Sequence, residues 1–91
     1  FSTVVRLQPG DYEAYHLRGV AHGKLDFHRS EIEDYSQAIR LKPDYRNALD
    51  GRAASYFRQN DTLSGCRDAL AACKLGACQT LERAKRKGFC R

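Results

Sequence analysis

The sequence has no methionine and no tryptophan, and only two prolines among its 91 residues. It has no uninterrupted apolar run of the ~20 residues that a membrane-spanning helix needs, so a membrane partner is not expected. No stretch alternates apolar and polar residues with a period of two, which argues against strands as the organising element. There is no glycine-rich phosphate loop, no HExxH and no nucleophile elbow, signatures that hold catalytic groups on a defined turn or helix face. The expectation is a chain that is not an enzyme and carries no cofactor. The lack of methionine, and a first residue, Phe1, that falls inside a repeated phrase, predict a piece of a longer protein. The lack of a visible signal peptide then says nothing about export.

Charge is plentiful. Lys and Arg number 16 against 11 Asp and Glu, a formal net charge of +5. Acidic residues are interleaved through most of the chain, and only the stretch from Arg83 to Arg91 is one-sided. A nucleic-acid surface normally spreads basic residues over a face. This tail is short and has Phe89 as its one aromatic, so nucleic-acid contact through it is a remote alternative.

Residues 35–43 read YSQAIRLKP and residues 1–9 read FSTVVRLQP, 34 positions apart, with Ser, Arg, Leu and Pro identical. Sliding residues 12–45 by 34 onto 46–79 brings six identities into line without a gap: Ala14 on Ala48, Arg18 on Arg52, Ser30 on Ser64, Asp34 on Asp68, Ala38 on Ala72 and Leu41 on Leu75. A fixed period of this size is the signature of stacked helical units. Gly19 and Ala53 are small where two helices of a hairpin must approach closely, and Ala38 and Ala72 serve the next contact.

Apolar spacing and turn residues divide the chain into helices. Phe1 to Leu7 reads as the end of a helix. Asp11 caps a helix from Tyr12 to about Leu25, with Gly23 as a weak point and Asp26-Phe27-His28 as the turn. The next helix runs from Arg29 to Leu41 with an apolar stripe of Ile32, Tyr35, Ala38, Ile39 and Leu41. Asp44 caps a third, Tyr45 to about Arg58, and Asp61 or Thr62 caps a fourth, Leu63 to Leu75. Gly76 ends it, and a last helix, Ala77 to Lys87, stops at Gly88. Arg18 with Asp34, and Arg52 with Asp68, lie 16 apart in both units, which predicts partly buried ion pairs between the helices of each hairpin.

All four cysteines fall after residue 65. In an antiparallel hairpin turning at Gly76, the nested pairing Cys66–Cys90 and Cys73–Cys78 has the best geometry. The alternatives 66–78 with 73–90, or 66–73 with 78–90, are worse. Free thiols or a zinc site remain open. Only Cys73-x4-Cys78 approaches a zinc knuckle, and a zinc site wants two. Disulfides would staple the last helix and imply a periplasmic or extracellular location; otherwise the protein is cytoplasmic. His16, His22 and His28 are six apart, off the spacing that pairs two histidines on one helix face for metal. His22 aligns with Tyr56 and reads as a packing residue, His28 as a turn residue. Glu31 reads as a long side chain tilting its carboxylate to solvent.

The 34-residue period, the small residue in mid-first-helix, the late alanine and the closing proline resemble the tetratricopeptide repeat. Tyr15, Gly19, Ala38 and Pro43 carry the likeness in the first full unit, and Leu49, Ala53 and Ala72 in the second. The resemblance covers residues 1 to about 76. It departs at Glu31 and Gly65, where the family usually has alanine, and at Ala77, which replaces the closing proline. It implies an all-α, right-handed solenoid: the end of a preceding repeat in 1–11, repeat units in 12–45 and 46–76, and a capping helix with its tail in 77–91. It also implies a scaffold that binds a peptide or a partner helix in a concave groove lined by first helices. Carried onto this chain, the groove comprises Glu13, His16, Leu17, Val20 and Lys24, then Asn47, Asp50, Gly51, Ala54, Phe57 and Arg58. Lys24 and Arg58 recur one repeat apart as candidates to grip an acidic group. The Lys and Asn clamp some members use for a C-terminal carboxylate is not supported, because His16 and Val20 stand at its first-unit sites. The alternative role is a structural module that ends a longer array or forms a homo-oligomer. No residue names the partner.

Overall fold

The computed structural model describes residues 10–90, and its regular structure is helical throughout, with no strand among the described residues. Five helices follow in order: α1 Tyr12–Lys24, α2 His28–Leu41, α3 Arg46–Arg58, α4 Thr62–Lys74 and α5 Gln79–Arg86. The helix end expected within Phe1–Leu7 lies outside the described residues. Helix α1 packs along α2 and α3 along α4, so two hairpins form. The hairpins meet mainly through α2 and α3, with α1 touching α3, and α5 lies on α4 and α3.

Local chemistry explains the helix ends. The Asp11 carboxylate accepts the Ala14 amide at 3.0 Å and that of Asp61 accepts the Ser64 amide at 3.2 Å, each satisfying a first-turn N–H. Four helices stop in the same way. The amides of Phe27, Asp61, Ala77 and Phe89 reach back to the carbonyls of His22, Tyr56, Ala72 and Ala84. The residue before each adopts a left-handed backbone: Asp26 (φ 61°), Asn60 (φ 64°), Gly76 (φ 102°) and Gly88 (φ 79°). This double closure satisfies the last carbonyls of a helix. Asp26 and Asn60 again lie 34 apart, so the turn recurs with the sequence.

Three expected boundaries shift, the first two because of these closures. His28 is helical, because the turn is complete at Phe27 and α2 starts at once. Helix α5 begins at Gln79, because the Ala77 amide is committed to closing α4. Asp44 is exposed and does not cap α3. Tyr45 takes that position without a side-chain bond, its ring held edge-on to Tyr12 at 5.0 Å.

The core is built from small residues. Ala38, Ala48, Ala53, Ala69 and Ala72 are fully buried, so the helices approach closely. Tyr35 of α2 is wedged between two glycines. A methyl at Gly19 of α1 would stand 2.7 Å from its Cε1, and one at Gly51 of α3 would stand 2.8 Å from its Cζ. Both are far inside van der Waals contact, so the ring occupies the space that two side chains would fill. Tyr12, Tyr15, Val20, Ile39 and Tyr45 surround this cluster, and a second gathers Ala53, Ala69, Leu81, Ala84 and Cys90. Leu41, expected on the apolar stripe of α2, is exposed, and so is Leu70 of α4. Leu70 sits ~100° round the helix from Ala69, off the buried stripe. Leu41 lies in the last turn of α2, at the open end of its hairpin.

Charged residues complete the interior. Asp34 and Asp68 are only 4% and 5% exposed. Arg18 gives Asp34 its Nε at 3.0 Å and its Nη2 at 2.7 Å, and Arg52 gives Asp68 its Nε at 2.7 Å and its Nη2 at 2.9 Å. Both guanidinium groups are held charged first by the aspartate hydrogen bond. Arg52 also donates to Ser36 Oγ at 3.0 Å, joining the hairpins. His22 Nδ1 lies 2.7 Å from Asp34, and because an ionised carboxylate only accepts, that nitrogen carries the hydrogen. Cys66 pairs with Cys90 and Cys73 with Cys78 at disulfide distance, with Cα separations of 5.6 and 4.0 Å, and no cysteine is left free.

Two outcomes follow from this packing. Arg52→Ala strands a buried carboxylate and should cost about 2–4 kcal/mol in urea denaturation, well above the ~1 kcal/mol of a surface pair. A loss no larger than a surface pair's would remove the buried-pair account. Cys66→Ser with Cys90→Ser opens the longer loop and should cost about 3 kcal/mol, against about 2 kcal/mol for the Cys73 and Cys78 pair. Thermal melts of the two double variants should therefore rank in that order.

Candidate functional site

Two helices, α1 and α3, each carry one of the expected stripes. On α1, Glu13, Leu17, Val20 and Lys24 recur every three or four residues, the spacing of one helix face. Asn47, Asp50, Ala54 and Arg58 do the same on α3. Leu17 is 55% exposed, open to a partner. Two expected groove residues turn inward. His16 lies between Tyr35 and Tyr45, with ring centroids 5.8 and 5.4 Å away, and burial pushes its imidazole below the ordinary value, favouring the neutral form. Gly51 is covered by Tyr35. Phe57 is part-buried against α4 and stacks on Phe89 at 5.7 Å.

Between α1 and α3 lies a cavity of about 310 Å³ lined by Val20, Gly23, Lys24, Glu31, Tyr35 and Arg58. The reading of Glu31 as solvated is wrong: it is 3% exposed. Arg58 Nη2 reaches both carboxylate oxygens at 2.9 Å, and His28 Nδ1 lies 3.2 Å away. Gly23 makes the burial possible, since a methyl there would stand 2.5 Å from Glu31 Oε2. At the matching crossing of the second hairpin the sizes are exchanged. Phe57 takes the place of Gly23, and Gly65 that of Glu31, with a methyl at Gly65 only 2.7 Å from the Phe57 ring. Burial first, and then the Glu31 charge, push the Tyr35 phenol well above its ordinary value. Arg58 therefore already holds an internal carboxylate, while Lys24 is exposed with no ion-pair partner among the described residues.

Asp50 is anomalous. Its Oδ1 is buried with no hydrogen-bond partner among the described residues. A buried acceptor left unpaired costs ~1–3 kcal/mol.

The sequence pattern gave the last helix a capping role, with remote nucleic-acid contact through its basic tail, and did not show a second cleft. Ala54, Phe57 and Arg58 of α3 face Thr80, Arg83 and Ala84 of α5 and its C-cap Lys87, with Phe89 beyond, around a space of about 210 Å³. Thr80, Arg83 and Lys87 fall at i, i+3 and i+7, a spacing that marks them as one face. Lys85 and Arg86 face elsewhere, beside Glu82.

Of the three histidine–carboxylate contacts, those of His22 with Asp34 and of His28 with Glu31 involve carboxylates that arginine already engages, and that of His28 with the exposed Asp26 is long, at 3.8 Å. Among the described residues no group of three or more His, Cys, Asp or Glu is arranged to hold a metal, and no helix is long and apolar enough to cross a membrane. No protein-family model matches the chain, and no curated protein matches it.

The Glu31–Arg58 contact can be isolated by a double-mutant cycle. Arg58→Ala alone should cost about 1–3 kcal/mol by leaving Glu31 with His28 only. The same change in a Glu31→Ala background should cost under ~0.5 kcal/mol, the range of ordinary surface substitutions. Equal losses in both backgrounds would show that Arg58 acts through something other than Glu31.

Proposed function

We propose that the chain is a right-handed tetratricopeptide-type solenoid, with units at 12–45 and 46–76 closed by 77–91, that binds a peptide or a partner helix. The observation that carries this reading is recurrence at 34 residues in both sequence and structure. The Arg18–Asp34 and Arg52–Asp68 pairs and the left-handed turns at Asp26 and Asn60 recur together. Recurring units stacked on one another give an extended face of first helices. That face has Leu17, Val20 and Ala54 along its middle and Glu13, Asn47, Lys24 and Arg58 toward its ends. An apolar centre with a polar rim suits an extended or helical peptide. The role is recognition without catalysis and without a cofactor. The cysteine pairs support an oxidising compartment, periplasmic or extracellular.

A second reading, self-association, is favoured by one observation. Leu63 and Leu70, seven apart on α4, are 72% and 49% exposed on a helix outside the groove. A random dodecapeptide display library and sedimentation velocity separate the two. The binding reading expects enriched peptides that hold wild type and lose at least about tenfold in affinity for Leu17→Glu with Ala54→Glu, while helix content and mass are unchanged. Failure to enrich any peptide, together with a dimer that Leu63→Glu with Leu70→Glu dissociates, would overturn it in favour of self-association.

A further inference from the structure

We propose that the cleft between α3 and α5 docks an acidic peptide segment bearing one large apolar side chain. The inference rests on the peptide-binding reading above and says where and what the peptide is.

The floor of the cleft is apolar: Ala54, Phe57, Ala84 and Phe89. The Phe57 and Phe89 rings lie 5.7 Å apart and 26° from parallel, forming one continuous aromatic wall. At about 210 Å³ the space takes one large side chain and little more. Phe89 is 43% exposed, yet its position is held, because the adjoining Cys90 is bonded to Cys66 and its amide is bonded to the Ala84 carbonyl at 2.9 Å. A preformed wall is not ordered at the ligand's cost.

The rim is cationic. Arg83 of α5 and Lys87, its C-cap, stand one turn apart, and among the described residues neither has an ion-pair partner and no carboxylate lines the cleft. Arg58 closes the third side, its charge shared with Glu31. Two unpaired cations beside an apolar slot complement a carboxylate neighbouring an apolar side chain.

The same residues argue against a nucleic acid. Aromatic rings that bind single strands expose faces for successive bases, whereas here Phe57 and Phe89 are stacked on each other. The continuation of the face carries Asp50 and Glu13, which repel a chain of phosphates but not a peptide whose acids are confined to one end.

The test uses peptides enriched from the dodecapeptide library on wild-type protein, measured by fluorescence anisotropy beside a fluorescein-labelled dT12. Enriched sequences should group Asp and Glu beside a Leu, Ile or Phe, and should bind Arg83→Glu with Lys87→Glu at least about tenfold more weakly. Lys85→Glu with Arg86→Glu makes the same change in net charge on the other face of α5 and should alter affinity less than about twofold. Circular dichroism and a thiol count under denaturing conditions check that both variants keep their helices and bridges. Equal losses in the two double variants would mean that net charge, not the cleft, is read, and would overturn the proposal. Enriched peptides without acidic bias, lost on Leu17→Glu with Ala54→Glu but indifferent to Arg83 and Lys87, would overturn it while leaving the groove reading intact. Tighter binding of dT12 than of any peptide, abolished by the Arg83 and Lys87 changes, would replace the peptide with a nucleic acid.

Discussion

Three carboxylates are buried in this small molecule, and each must be met by a cation from a different helix before the hairpins can close. Removing an ion from water costs several kcal/mol even after relaxation, so such a group is tolerated only when its partner arrives in good geometry. Asp34 and Asp68 belong to second helices of hairpins and are met by Arg18 and Arg52 from the first helices. Glu31 is met by Arg58 from the other hairpin. Two pairs therefore set the register within hairpins and the third sets it between them, assisted by the Arg52 bond to Ser36. An alanine-lined interface alone would permit some sliding, because small smooth side chains offer few knobs to lock. The ion pairs and the wedged ring of Tyr35 remove that freedom.

The helical character of the chain and the positions of its turns were legible, because periodic apolar residues and the Asp, Asn and Gly stops are local signals. Asp26 and Asn60 carry the same turn at the same offset, and short polar side chains tolerate its left-handed backbone. The spacing of 16 that sets Arg18 with Asp34 and Arg52 with Asp68 was written twice, and the structure brings the same residues together. Glu31 was misread because its environment is not local. It depends on Gly23, eight residues back across a turn, and on Arg58, 27 residues ahead. Taken singly, Gly23 looks like a weak point in a helix and Glu31 like a solvated acid. Comparing the crossings at the repeat offset, Gly23 with Phe57 and Glu31 with Gly65, exposes a single exchange of large and small.

The two helix stripes were legible in outline, and the state of their side chains was not, for the same reason. Helix spacing places Glu13, Leu17, Val20 and Lys24, and then Asn47, Asp50, Ala54 and Arg58, on two parallel stripes. Spacing does not say which charges are already spent. Arg58 looked available and is engaged by Glu31, whereas Lys24, the residue one repeat before it, has no such partner. His16 looked like a groove residue and is taken up by two tyrosine rings. Arg83 and Lys87 looked like solvating charges on a cap, and they rim a cleft with an aromatic wall.

That cleft and the stability of α5 are one problem. A helix of eight residues is marginal by itself, because nucleation outweighs the few hydrogen bonds gained. Helix α5 is held by Leu81 and Ala84 packing toward α3 and α4 and by the tie from Cys90 to Cys66. The tie closes a separation of 24 residues, so it restrains the unfolded chain more than the short Cys73–Cys78 link does. It also fixes Phe89, the residue just before it, against Phe57. The covalent link that keeps α5 docked thus builds the wall of the proposed site. The two properties are coupled through a few neighbouring atoms, with no need for a change elsewhere in the fold.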